Sequence, residues 1–395
     1  MEPVTTDEPR ADWDAASPEF RRDPLSVLAR LRDEHPVAYS QHGYRGCSFW
    51  ALTRHDHIVD ATLDVERFRN GELTRFGPPR PPLESDPPQH TLFRRLMQPH
   101  FSPSRMRALE SRVRAICAEL LEPLVSAGGG DAASGFAQPL PARVLLTFLN
   151  QPEQHWHSLK RWSEAAFLQF SDDPADQAAF RVANDALYEY SRTVLAARRA
   201  LPRDDDLVTT LLRAQEEGHP ITDDHIIGVI RLLLAAGHDS TTTAVGICLH
   251  RLAVDIALQD ELRRAPEKIS SAVEELLRYE TPVLAMPRTA ACDFEFHGRH
   301  LRRGDRVLLY FASGNRDRRV FGDAESVRAD RRPNPHLAFG HGIHKCIGAP
   351  LARLELRVAL EAWLASTTRF ELAGTPEFEP WHQFGLRYLP LKIGT

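Results

Sequence analysis

Lysine is nearly missing from this chain of 395 residues. Four lysines (Lys160, Lys268, Lys345 and Lys392) stand among 49 basic residues, so 49 − 4 = 45 are arginine. With 54 acidic residues the net charge is −5, which argues against nucleic-acid binding driven by a basic surface. Cysteine is scarce and odd in number (Cys47, Cys117, Cys248, Cys292 and Cys346), and no CxxC pair occurs. That excludes a disulfide framework and points away from structural zinc or a built-in iron–sulfur cluster. It suits a reducing, cytoplasmic setting. No run of 18 apolar residues is present, and the polar stretch from Met1 to Arg10 has no apolar signal core, so neither a membrane span nor export is expected. Gly128-Gly129-Gly130 lacks the frame of a phosphate loop and reads as a surface turn.

What is there reads as a folded chain. Hydrophobic residues at 42% against 26% charged rule out disorder as the main state. The length allows two or three domains or one large core. No repeat or linker splits it, so the expectation is a loose segment over 1–20 followed by one domain over 21–395. Helical spacing covers 24–32, 90–125 with a break near Phe101-Ser102-Pro103, 142–149, 153–170 and 175–200. Thr222 caps a long helix reaching about Ala257, with Asp223 and Asp224 at its positive end. A further helix runs from Ser271 to Tyr279 with Ser271 and Glu274 as a capping box, and the last from Pro350 to Leu364. Strand alternation is confined to 36–39, 48–52 and 294–307. Residues 70–88 hold six prolines and two glycines and form a long irregular loop. The fold class is mainly α with a smaller β part.

Chemistry concentrates at Cys346. The window Phe339-Gly340-His341-Gly342-Ile343-His344-Lys345-Cys346-Ile347-Gly348 precedes Pro350, so the thiol lies just before a helix start. Free amides at that end favour a thiolate, and a lone thiolate suits a single axial haem ligand. A zinc site from His336, His341, His344 and Cys346 lacks the usual paired spacing. The window fits F-x-x-G-x-[HR]-x-C-x-G and resembles the haem loop of the cytochrome P450 family, in its soluble bacterial class. The resemblance extends from about Pro24 to Pro390.

Three further motifs agree with it in order. Glu275-Leu276-Leu277-Arg278 resembles the family's ExxR helix, whose two charges share one face. The resemblance implies a structural role, with Arg331 (or Arg332) as a third member. Ala236-Gly237-His238-Asp239-Ser240-Thr241, inside the long helix, resembles the oxygen-activation motif, with serine where threonine is usual. Asp239, Ser240 and Thr241 are therefore the implied proton-delivery residues, with a local groove in the helix. His90 and Arg94, four apart, match HxxxR; Arg288 and His344 match further positions around the haem carboxylates. With Phe339, Cys346 and Gly348 they make up the implied haem shell.

The resemblance implies a fold with haem b, its iron on Cys346, between the long helix and the cysteine loop. It implies a monooxygenase that acts on a small organic substrate with O2, possessing no built-in electron donor and drawing on a ferredoxin and its reductase. Arg94, Arg95, Arg105, Lys345, Arg353 and Arg357 are candidates for the docking face. Matching regions put Arg75, Phe76, Phe167, Phe170, Leu232, Ala235, Ala236, Leu284, Met286 and Phe384 at the substrate pocket. Secondary metabolism is the expected setting and a monomer the expected state. Two alternatives stand beside this reading: oxidative coupling or another non-hydroxylating oxidation of an aromatic or peptide substrate, which Ser240 favours, and a non-catalytic haem sensor.

Overall fold

Apolar residues at helical spacing dominate the chain. In the computed structural model, which describes residues 11–43, 47–70, 78–166, 168, 173–378 and 385–394, they bury one large helical core. The amino-terminal helices α1 (Pro18–Arg22) and α2 (Pro24–Glu34) each begin with proline behind a capping side chain, Ser17 and Asp23. Residues 11–20 depart from the loose expectation. Phe20 is fully buried, and Trp13 packs edge-on against Phe20 and Phe49, because three aromatic rings there need cover from water.

The body is built from α3 (His55–Leu63), α4 (Gln89–Met97), α5 (Pro103–Ser126), α6 (Pro139–Phe148), α7 (Trp156–Ala166), α8 (Pro174–Ala200) and α9 (Leu207–Glu216). Then come α10 (Asp223–Val254), α11 (Ile256–Arg264), α12 (Ile269–Glu280), the single turn α13 (Phe311–Gly314) and α14 (Ala349–Ser366). The axis of the molecule is α10. Thr222 accepts from the His225 N–H while the His225 ring accepts from the Thr222 N–H, a reciprocal cap. Its 32 residues span roughly 48 Å, and α6, α8, α12 and α14 pack around it.

Strands make a smaller layer. The main sheet runs β1-β2-β8-β5-β3, from β1 (Val37–Ser40), β2 (Phe49–Leu52), β3 (Phe68–Arg69), β5 (Met286–Ala290) and β8 (Arg306–Leu309). β2 and β8 pair in parallel; the other neighbours are antiparallel. A second sheet orders β4 (Gly129–Asp131), β12 (Pro390–Gly394) and β9 (Arg369–Leu372). The three glycines at 128–130 are therefore not a free turn. Their φ angles of 69°, 142° and 148° shape an edge strand whose Gly129 lies so close to Leu391 O that a Cβ would meet it at 2.3 Å. Two hairpins complete the layer, β6 (Phe294–Phe296) with β7 (Arg299–Leu301), and β10 (Glu377–Phe378) with β11 (Leu386–Tyr388).

The capping box expected at Ser271 and Glu274 does not form. Helix α12 starts two residues earlier, and Ser271 donates to the Lys268 carbonyl. Glu274 is drawn instead to Arg353 and His336, charged and polar partners that outweigh a local cap.

A pH effect is expected at the β6–β7 hairpin. Its turn residue His297 stacks on His57 of α3, with ring centroids 3.7 Å apart. Burial first, and then His297, push His57 down to about 4. The folded ring is neutral while the unfolded ring titrates near 6.5, so its contribution is complete above about pH 6.5. It is lost as pH falls from there toward 4. A His57→Phe variant should show a shallower fall in unfolding free energy across that window, by roughly 1–3 kcal/mol. Identical pH slopes in urea titrations of the two proteins would contradict this.

Candidate functional site

Between β8 and α14 the chain folds back on itself as the Cys346 loop. Gly340 and Gly342 hold φ near 69° and 66°, and a Cβ on Gly342 would meet Thr62 O at 2.4 Å, so both positions require glycine. Gly348 has φ −79° and a Cβ there would only touch the Cys346 sulfur at 3.8 Å; its backbone does not demand glycine. The Cys346 N–H donates to Phe339 O at 2.8 Å, which folds the loop into a tight finger. Cys346 keeps accessible surface, and yet its thiol lies deep among protein atoms. Burial pushes the thiol up. The N–H groups of Gly348 and Ala349 and the charges of Arg94 and Arg353 oppose this without cancelling it. A metal cation bound at the sulfur would displace such a proton. Behind the loop, the Arg353 guanidinium lies 4.4 Å from the Phe339 ring centre and grips Glu274 with two bonds of 2.8 Å. Burial alone would raise Glu274, but His336 and Arg353 override it and hold the carboxyl at about 2.

Beside the loop the structure gathers cations with no ion-paired carboxylate among the described residues. Arg288 on β5 is 4% exposed, and its one acceptor among the described residues is the neighbouring Pro287 carbonyl at 2.8 Å. Burial lowers it to about 10, weakly opposed by Asp86. Among the described residues Arg94 on α4 donates only to Lys345 O, at 2.7 Å, and it is lowered by burial. The His90 and His344 rings sit 4.3 Å apart, and Nε2 of His90 is buried without a partner. Burial, His90, Arg288 and Arg94 together drive His344 down to about 3. Among the described residues no carboxylate comes within 4.0 Å of either guanidinium. Buried fixed charge with no counter-charge is unfavourable, so this cluster fits a ligand that brings carboxylates of its own. Haem, with two, meets that requirement.

Glu275 and Arg278 are both fully buried and joined by two bonds of 2.8 Å. Arg331 completes the group through Nε to Glu275, 2.8 and 2.9 Å, whereas Arg332 is exposed. Arg278 also donates to the carbonyls of Asn315, Ala324 and Ser326, clamping the segment that leads into the Cys346 loop.

Helix α10 carries the Asp239-Ser240-Thr241 motif. Most of its residues are buried, yet Leu232, Ala235, Ala236, Asp239 and Ser240 retain accessible surface. Their spacing of three and four draws one stripe along one face. Ser240 donates its hydroxyl to Ala236 O at 2.9 Å, and the helix runs unbroken through the motif, so the expected groove is not open. The serine hydroxyl supplies the carbonyl with a bond without bending the chain. Thr241 is buried and about 100° around the helix from Ser240, off the stripe. His238 is buried behind it, with Nε2 3.3 Å from Gln138 O and Nδ1 3.0 Å from Asp239.

Other expected site residues scatter. Leu284 joins the amino-terminal core with Tyr310 and Ala312, and Met286 is partly buried against the sheet core. Arg75, Phe76, Phe167, Phe170 and Phe384 lie outside the described residues. The docking set loses Arg105 to Asp205 (3.0 Å), Arg353 to Glu274 and Arg357 to Glu110 (2.8 Å); Arg95 and Lys345 are exposed and form no ion pair. The zinc reading fails among the described residues: His341 bonds Thr62, His336 bonds Glu274, and no cluster of three ligands forms. Glu274 and Arg353 are the functional pair that sequence reasoning missed. Two adjacent glutamates, one facing each way from α12, are the signal that could have revealed it. No single described helix is long and apolar enough to cross a membrane.

A cytochrome P450 family model matches residues 167–391. The chain is 35% identical to mycinamicin IV hydroxylase/epoxidase of Micromonospora griseorubida, covering 92% of this chain and 93% of that protein. It is 33% identical to cytochrome P450 109 of Bacillus spizizenii, covering 94% and 92%. Among solved structures, CYP109E1 from Bacillus megaterium in complex with testosterone superposes with a TM-score of 0.87 at 29% identity, over 95% of this chain and 99% of that one.

Proposed function

The chain belongs to the cytochrome P450 family of haem-thiolate monooxygenases, and on that premise we propose that Cys346 holds the haem iron and α10 carries the proton-delivery groups. When bound, the haem activates O2 with two electrons so that one oxygen atom enters an organic substrate. The protein's part follows from its own atoms. Gly348 and Ala349 N–H groups steady negative charge on Cys346 Sγ. Arg94 and Arg288, with His90 and His344, bind and orient the two haem carboxylates. Asp239 Oδ1 and Oδ2, on the accessible stripe, take protons from water and present them to the cleft. Ser240 Oγ does the same once it lets go of Ala236 O. The observation that carries this reading is the cation cluster beside Cys346 that has no ion-paired carboxylate among the described residues.

Electrons come from an external ferredoxin and its reductase, and Arg95 and Lys345 are the charges left free to meet an acidic partner. The chain works as one domain over 21–395, as a cytoplasmic monomer, on a small organic substrate of secondary metabolism. The similarity to mycinamicin IV hydroxylase/epoxidase supports that setting. The named relatives include a hydroxylase/epoxidase, and the non-catalytic sensor reading has no counterpart among them. Oxidative coupling rests on Ser240 alone.

The test uses the reconstituted enzyme with a surrogate ferredoxin system and a substrate found by Soret shift. Asp239→Asn should slow product formation at least about 10²-fold. Ser240→Ala should keep O2 uptake but divert electrons to hydrogen peroxide. Since Thr241 is buried off the stripe, Ser240→Ala, Thr241→Ala should behave like the single variant. Full rate and full coupling in the double variant would defeat the hydroxylation reading and favour coupling chemistry.

A further inference from the structure

His238 lies on the buried side of α10, 2% exposed, on a helix whose Leu233, Leu234, Ala244 and Val245 belong to the hydrophobic core. An apolar side chain would fill that place at less cost, since each ring nitrogen buried there needs a partner. One nitrogen has it. Gly237 lets α10 lie close to α6, where a Cβ would meet Leu145 at 3.3 Å. Just ahead of α6, the Gln138 carbonyl stands 3.3 Å from His238 Nε2. A carbonyl only accepts, so Nε2 carries a hydrogen. That fixes the ring: when it is neutral, Nδ1 is bare.

Nδ1 is buried and makes no aligned hydrogen bond with a described residue. What it faces is Asp239 Oδ1, 3.0 Å away. With a neutral ring and an ionised carboxyl, two lone pairs would meet at that distance with nothing between them. One proton removes the conflict. It sits either on Nδ1, which then donates to the carboxylate, or on the carboxyl, which then donates to Nδ1. The contact at Nε2 thus favours one composition, in which ring and carboxyl share one proton more than neutral imidazole and carboxylate hold. The two partners differ in freedom. Asp239 keeps accessible surface, whereas His238 has next to none and is tied to the residue ahead of α6. Rotation about its own bonds lets the carboxyl turn from Nδ1 to the open stripe, and the ring cannot follow.

We propose that His238 is a positioning residue that holds the Asp239 carboxyl through a shared proton and so keeps the acid loaded. His238 Nδ1 gives its proton to Asp239 Oδ1. Asp239 gives a proton up on the accessible side, and water returns one to it, so the pair ends as it began. His238 touches neither substrate nor haem in this scheme and acts through Asp239 alone. The proposal rests on the reading of Asp239 as the proton-delivering acid.

Two variants separate this role from packing. In His238→Gln the longer amide reaches the Nε2 position, keeps the Gln138 contact and leaves nothing at Nδ1. In His238→Asn the amide takes the Nδ1 position, faces Asp239 and loses Gln138. The first readout is independent of turnover. Histidine labelled at its ring nitrogens for NMR, in the reduced carbon-monoxide complex of the haem-loaded protein, gives a His238 signal assigned by its loss in His238→Gln. Its Nδ1 should show the shift of a protonated or hydrogen-bonded nitrogen, and Asp239→Ala should move it toward that of a bare one. An Nδ1 signal unchanged by Asp239→Ala overturns the proposal. The second readout is O2 uptake with the surrogate ferredoxin system and no organic substrate added. His238→Gln should slow it roughly 10–10²-fold, the cost of a misplaced group. His238→Asn should recover part of that loss. In an Asp239→Asn background His238→Gln should add nothing, because the two residues act as a unit. The same loss in both backgrounds makes His238 a packing residue. Undiminished uptake by Asp239→Asn defeats the parent reading and the proposal with it, whereas a slowed Asp239→Asn protein beside His238→Gln at full rate defeats the positioning role alone.

Discussion

Glu275→Ala is expected to remove a large part of the fold's stability. Glu275 is fully buried and accepts from Arg278, Arg331, the Arg328 N–H and Asn334. Removing it leaves two guanidiniums in the interior with their shared anion gone. The two do not suffer alike. Arg331 keeps Asp323 at 2.6 Å, whereas Arg278 keeps only three carbonyls. Breaking a buried pair by removing one partner destabilises by about 3–5 kcal/mol. Set against a total stability of about 5–15 kcal/mol, that is enough to drive much of the protein into inclusion bodies. Glu275→Gln, which keeps acceptor shape and loses charge, should fall between. Arg331→Ala should be milder than Arg278→Ala, because Arg278 alone ties Asn315, Ala324 and Ser326 together. Urea unfolding of soluble fractions ranks the variants. A Glu275→Ala protein with wild-type yield and midpoint would show that this cluster does not hold the segment behind the Cys346 loop.

What was legible in the sequence was chemistry that a short window must contain. A lone cysteine between glycines and before a proline-started helix, the Glu275–Arg278 spacing and the Thr222 cap all fix local geometry within a few residues. Arg331 was reached only through the family resemblance, which left Arg332 open beside it; the structure decides for Arg331, which bonds Glu275. The misses share another cause: partners far apart in the chain. Glu274 looked like a capping residue because its true partner, Arg353, comes 79 residues later. Arg105 and Arg357 looked like a docking surface until Asp205 and Glu110 took them. Gly129 became an edge strand only because the carboxy-terminal strand lies beside it. Hydrophobic period reads faces, but it cannot say which distant charge will fill a given acceptor.

Cys346→His is expected to remove the enzyme's defining spectrum. The loop that presents the sulfur is fixed by Gly340, Gly342 and the Cys346-to-Phe339 bond, none of which depends on the side chain at 346. Imidazole in that place can bind metal but gives neither the thiolate charge nor the hydrogen bonds from Gly348 and Ala349 at the same distance. Arg94 and Arg288 are untouched, so haem should still be retained in part while activity is lost. Cys117 and Cys248 offer no substitute. Both are buried in the helical core, and burial drives their thiols well above the ordinary range, Cys117 to about 12. The most direct measurement is the difference spectrum of the dithionite-reduced protein with and without carbon monoxide. The wild type should show the red-shifted Soret band of thiolate-bound haem, and Cys346→His should lack it. A wild type without the band, or a Cys346→His variant that keeps it, would contradict the assignment of Cys346 as the haem ligand.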